Sequence, residues 1–188
     1  MRELSLHILD IVQNSIAANA TFIEIIIDEN DEKNCMTIEI VDNGIGMSEE
    51  LVKKVVNPFV TTRKTRKVGL GISLFKAACE RCNGKFHIES ELGKGTKIIA
   101  SFEKNHIDRA PLGNMVDTMI IIILSNEKID YLYKHRINKE EFVLDTRELR
   151  KVLGDVPLSN TEVIDWIKQY MVEGLEELRI KIVNDKLD

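Results

Sequence analysis

Residues 35–50 read CMTIEIVDNGIGMSEE. The β-branched run through Thr37, Ile38, Ile40 and Val41 predicts a strand over about 35–41. Asp42 stands at its end, two residues before the first of two alternating glycines, Gly44 and Gly46, with Met47 following. Glycines in this spacing let the backbone turn tightly and approach a ligand without a Cβ in the way. The carboxylate ahead of them can accept a hydrogen bond from an amino group such as adenine N6. Taken alone, the same residues also read as a plain turn from strand to helix. Ser48, followed by Glu49 and Glu50, has the form of an N-cap with an acidic first turn and predicts a short helix.

Immediately upstream, TFIEIIIDEN predicts a second strand near 21–28, joined to the first by a polar turn over 29–34. Before it, Leu4, Leu6, Ile8, Leu9, Ile11, Val12 and Ile16 fall on nearly every side of a helical wheel, without Gly or Pro. They predict a buried helix over about 3–18. Asp10 and Asn14 lie one turn apart on one face of that helix, so two polar side chains face something polar. Downstream, Gly69-Leu70-Gly71 precedes a helix predicted over about 70–81 that stops at Asn83-Gly84. The free N–H groups and positive dipole end of such a helix start suit phosphate. KFHIESELGKGTKIIASF predicts two more strands, near 85–90 and 96–103, around Gly93-Lys94-Gly95, with Thr96 entering the second.

The pattern lapses near 105–111, the expected domain boundary. Beyond it, 112–124 reads as a helix, although the run Ile120 to Ile123 also suits a strand. IDYLYKHRINKEEFVLDT predicts a hairpin turning at Asn138, Asp145 opens a short helix, and Ser159-Asn160-Thr161-Glu162 caps a last helix reaching about Arg179.

Each glycine element is weak by itself, but their order is specific: an Asp/Asn helix, a strand ending in Asp-x-Gly-x-Gly, Asn57-Pro58-Phe59-Val60-Thr61-Thr62, a Gly-x-Gly helix start, and Gly-x-Gly-Thr in a strand. In this order, residues 3–103 resemble the GHKL superfamily of ATPases, which takes in gyrase, the large heat-shock chaperones, histidine kinases and MutL. NSIAANATFIEI resembles the MutL form of the first box, and NPFVTTRK with VGLGISL resembles the histidine-kinase lid and second glycine box.

The resemblance implies an α/β fold of the Bergerat type, a two-layer sandwich with a mixed, largely antiparallel sheet covered by helices on one face. It implies ATP and Mg²⁺ as cofactors, with Asn14 coordinating the metal and Asp42 reading the adenine amino group. Gly44, Gly46 and Met47 would shape the adenine pocket, with Thr96 supporting the base through water. Gly69, Leu70 and Gly71 would present N–H groups to the phosphates, and Thr61, Thr62 and Lys67 belong to a lid over 61–68 that also carries Arg63, Lys64 and Arg66. Asp10 takes the place of the glutamate base of the hydrolysing members and related serine kinases, where histidine kinases usually have an amide. Lys67 and Ala17 depart from the family pattern, at a usual glycine and at a usual lysine or aspartate.

Other chemistry is excluded by pattern. A net charge of −5 without a broad basic face argues against nucleic acid. The amino terminus carries Glu3, Asp10 and Gln13 where a signal peptide would be apolar, and no apolar run approaches the roughly 20 residues of a membrane span. Three cysteines fit a reducing, cytoplasmic compartment, with Cys79 and Cys82 as buried helix residues. No Walker P-loop is present. With six residues ahead of His7, no phosphoacceptor hairpin is expected before it, and His7 is expected to be a structural hydrogen-bonding residue.

The implied function is an ATP- and Mg²⁺-dependent hydrolase or protein kinase acting on a protein partner. The alternative is a regulatory module in which ATP closes the lid and alters a partner-binding surface with negligible turnover. Residues 105–188 are expected to form a small α/β appendage that binds a protein partner or forms a homodimer contact, leaving 1–104 able to bind ATP alone. Tyr131, Tyr133, Phe142, Trp166 and Tyr170 concentrate in this half and serve either such a contact or its own core.

Overall fold

The computed structural model describes residues 2–57 and 70–185. The chain runs α1 (Leu4–Ala17), β1 (Phe22–Asn30), β2 (Cys35–Asp42), α2 (Glu49–Val55), α3 (Gly71–Glu80), β3 (Phe86–Glu91), β4 (Gly95–Glu103), α4 (Met115–Ser125), β5 (Asp130–Ile137), β6 (Glu140–Asp145), α5 (Thr146–Leu153) and α6 (Thr161–Asp185). One six-stranded sheet has the order β3-β4-β2-β1-β5-β6, antiparallel throughout except where β5 lies parallel to β1.

Register sorts the side chains. Ile25 pairs with Ile40 and Tyr133, and Ile40 pairs with Ile98, so these residues point to one face together. That face is apolar and buried, through Ile23, Ile25, Ile27, Met36, Ile38, Ile98, Ala100, Phe102 and Tyr133. Residues one position along point to the other face, which carries the pairs Glu24–Lys134 at 3.1 Å and Glu39–Lys97 at 2.7 Å. The alternation therefore covers one face with helices and leaves the other charged. Over the apolar face the helices lie side by side in the order α3, α1, α4, α6.

The isoleucine run settles as helix α4 because Ile122 and Ile123 pack inward while Ile121 faces out, with Asn114 capping the helix by accepting from Asp117 N–H at 3.0 Å. The hairpin turns at Asn138, which has positive φ, and α6 continues beyond Arg179 to Asp185.

Residues 105–185 share both sheet and core with the first half. They supply β5 and β6, and Tyr131 and Tyr133 are fully buried in the common core. The connection after β4 also caps α1. No side chain caps that helix, and the N–H groups of Leu4 and Ser5 donate to the carbonyls of Pro111 and Leu112 at 2.9 and 2.8 Å. At the far end of the sheet His135 bonds Glu29 at 2.9 Å, and Lys104 bridges Glu29 at 2.8 Å and Asp31 at 2.6 Å, tying β5, β1 and the end of β4 together.

Candidate nucleotide site

At one end of the sheet the buried apolar face turns polar. Asp42 pairs with Thr96, and Thr96 with Ser90, so three polar side chains form one row across β2, β4 and β3 beneath the helices. Asp42 is only 8% exposed. Its Oδ1 accepts from the Gly44 N–H at 2.9 Å and its Oδ2 from the Ser15 hydroxyl at 2.7 Å. A carboxylate offers about four acceptor positions, so two are engaged and the others remain for a ligand.

The loop from Asn43 to Met47 is gripped on both sides. Ile45 N–H donates to Ala18 O at the end of α1, Gly93 N–H donates to Ile45 O, and Met47 N–H donates to Ser90 Oγ. Such close backbone approach needs glycine. A Cβ on Gly46, where φ is +67°, would lie 2.0 Å from Glu91 O; one on Gly95, where φ is +104°, would lie 1.9 Å from Asp42 O. Asn43 anchors the start of the loop by accepting from the N–H groups of Thr21 and Phe22.

These elements enclose a cleft of about 310 Å³. Asn14, Ser15, Asp42, Gly46, Met47 and Thr96 line it, with apolar walls from Ile11, Ile40, Ile45, Leu51, Ile72 and Ile98. Gly71 begins α3 against Asp10: a Cβ there would meet Asp10 Cβ at 3.1 Å and Oδ2 at 3.4 Å. No side chain caps α3, and Leu70 precedes its first turn. The structure thus brings Asn14, Asp42, Gly46, Met47 and Thr96 to one cleft, with Gly44 behind it donating to Asp42, and with Asp10, Leu70 and Gly71 at the start of α3. Thr61, Thr62, Lys67, Gly69 and the rest of the expected lid lie outside the described residues.

Ser15 and Ser90 belong to the site and were not anticipated. Ser15 sits one turn after Ile11 on the buried side of α1, a hydroxyl on an apolar stripe, and that is the signal that marks it. Ser90 shares the inward alternation of Phe86 and Ile88 and also donates to Gly95 O at 2.9 Å.

His7 differs from the expected hydrogen-bonding role. It is 3% exposed, stacks on Phe75 with ring centroids 5.4 Å apart, and its Nδ1 has no partner among the described residues. Burial lowers its pKa from 6.5 to about 4. Cys79 is buried and its thiol donates to Lys76 O; burial pushes its pKa up to about 12 and raises that of Cys82 too, the opposite of an activated thiol. Among the described residues no group of His, Cys, Asp and Glu is arranged to hold a metal ion by itself.

A strand ending in a buried carboxylate, a glycine-gripped loop and a polar helix turn line one cleft within a two-layer sandwich. The chain belongs to the family described as histidine kinase-, DNA gyrase B-, and HSP90-like ATPases, whose model matches residues 2–106. It is 41% identical over 61 residues to sporulation kinase D of Bacillus subtilis, covering 32% of this chain and 12% of that one. It is 32% identical over 94 residues to the sensor protein DegM of a Bacillus species, covering 50% and 25%. The chain thus spans a minor part of these relatives' length. Among solved structures, the N-terminal domain of a DNA repair protein matches with a TM-score of 0.54 at 17% identity, covering 77% of this chain and 53% of that one, a likeness of fold. Among the described residues no helix is long and apolar enough to cross a membrane.

Proposed function

We propose that this protein binds ATP with Mg²⁺ in the cleft beneath α1 and catalyses phosphoryl transfer, to water or to a protein partner, with Asp10 as general base. The observation that carries the reading is Asp42: a buried carboxylate held by two donors, with acceptor capacity left over and a cleft of nucleotide-binding size above it. Its remaining lone pairs suit the amino group of adenine, and the apolar walls suit the faces of the ring. Asn14, one turn from Asp10, would hold the metal through its side-chain oxygen, and Mg²⁺ would supply neutralisation of the phosphate charge. The uncapped N–H groups of α3 complete the phosphate side. Asp10 lies against the first residue of α3, so its carboxylate stands where it can take a proton from a nucleophile reaching that helix start.

Asp10→Asn is expected to retain ATP binding while single-turnover phosphate release or transfer from γ-labelled ATP falls about 10²–10⁴-fold. Running the assay with and without cell extract distinguishes hydrolysis from transfer to a partner. Equal turnover in the two proteins would remove Asp10 from the chemistry and favour the reading in which ATP only switches a binding surface, to which the departure at Ala17 lends support.

A further inference from the structure

The far edge of the sheet carries a second cleft, between β6 and α6. It encloses about 210 Å³ and is walled by Glu140 and Glu141 on the strand and by Tyr170, Glu173 and Glu177 on the helix, with Phe142 and Gly174 at its floor. Gly174 explains its depth. A Cβ there would lie 2.2 Å from the Phe142 ring, so glycine in mid-helix, which costs about 1 kcal/mol in helix propensity, lets strand and helix close on each other.

At one end of the cleft the rings of Trp166 and Tyr170 stack at 5.1 Å and 7°, yet remain 50% and 39% exposed. Tyr131, Tyr133 and Phe142 fill the core, so the aromatic concentration of this half divides into three buried rings and two displayed ones. Tyr170 also donates to the outward carbonyl of Val143 at 3.0 Å. That bond occupies one acceptor on the edge strand β6, where another strand would otherwise pair.

We propose that the β6–α6 cleft docks an extended, Lys- or Arg-bearing segment of a protein partner. Charge complementarity selects the occupant. Four carboxylates line the cleft against two cations: Lys181 bridges its walls by pairing with Glu177 at 3.1 Å and Glu140 at 3.6 Å, and Arg136 pairs with Glu141 from the neighbouring strand, so the cleft keeps an excess of negative charge. The walls thus hold an ammonium within this chain, and a partner's cations fit the same carboxylates. The exposed ring faces add cation–π contacts at one end. From Trp166 to Lys181 the helix extends about 22 Å, the length of six or seven residues of extended peptide. This surface is separate from the nucleotide cleft, and its test requires no nucleotide.

Trp166 is the single tryptophan of the chain, so its emission reports on the site directly. A fluorescein-labelled octapeptide of alternating Arg and Val is to be titrated with the full chain, following anisotropy and, with unlabelled peptide, Trp166 emission. Expected are saturable binding that weakens as salt rises, a change in Trp166 emission, and no binding of the matching Glu-Val peptide. Glu173→Lys with Glu177→Lys should weaken binding at least tenfold, and Lys181→Ala should tighten it. Glu32→Lys with Glu89→Lys, the same charge change elsewhere on the surface, should leave it nearly unchanged. The proposal is overturned if the basic peptide leaves anisotropy and emission unmoved, if both double variants lose binding equally, or if Trp166 emission instead tracks self-association in sedimentation.

Discussion

Ser15 and Asp42 act as one unit at the floor of the nucleotide cleft, because each Asp42 oxygen is held by a different part of the chain. Removing the hydroxyl by Ser15→Ala leaves a buried carboxylate one donor short, at roughly 1–3 kcal/mol. Calorimetry should show ATP affinity falling about tenfold while the fold persists. Asp42→Asn presents an amide donor toward the adenine amino group and should cost more, with the loss confined to adenine nucleotides. His7 carries a different prediction. Its pKa drops from 6.5 unfolded to about 4 folded, so the folded protein binds fewer protons between those values. Stability is therefore complete above about pH 6.5 and declines as pH falls toward 4, by at most about 3 kcal/mol. Glu29 extends the decline: burial raises its pKa, but hydrogen bonds from His135 and Lys104 outweigh this and hold it at about 2, so its contribution is lost as pH falls from 4.5 toward 2. His7→Leu should flatten denaturant midpoints between pH 6.5 and 4 and leave the lower limb intact.

The glycine loop is the element on which the site turns. Gly46→Ala would drive a Cβ into Glu91 O at a positive φ, so the loop must shift away from the β3–β4 hairpin. Nucleotide binding should fall further than thermal stability does, as calorimetry and a melting curve on the same sample would show. This loop was legible in the sequence only through its place in the order of glycine elements, since alone it also reads as a plain turn, and α1, β1 to β4 and α3 were legible from periodicity and end signals. Ser90 was harder to read: its role depends on β3 pairing with β4 in a register that brings it beside Thr96 and under Met47, a long-range fact with no local signature. The cap of α1 was hidden for the same reason, since its acceptors, Pro111 and Leu112, lie about a hundred residues away. Ile120 to Ile123 admitted two readings until packing decided between them. The lid motifs lie outside the described residues.

At the scale of the whole molecule, residues 105–185 pair along the edge of β1 through β5 and brace α1, the helix that carries Asp10, Asn14 and Ser15. The sequence alone suggested that 1–104 would bind ATP unaided; the shared core leads to the opposite expected outcome. A chain ending at Lys104 lacks β5, α4 and α6, strips the cap from α1, and bares the edge of β1 together with much of the apolar face. It should be aggregated or lack fixed tertiary structure by near-ultraviolet circular dichroism, and so should fail to bind nucleotide for want of a fold. A sharp melting transition in that fragment would count against the shared-core account. The parallel pairing of β1 with β5 also has a consequence for biosynthesis. Ile25 meets Tyr133 across 108 positions of chain, and long-range parallel contacts of this kind form late. At 5–20 residues per second, the 33 residues from Lys104 to Ile137 take about 2–7 s to add. For that interval the nascent chain displays an isoleucine-rich strand with one edge unpaired, so translation speed through the β4–β5 connection should govern how much protein escapes edge-to-edge association and emerges soluble.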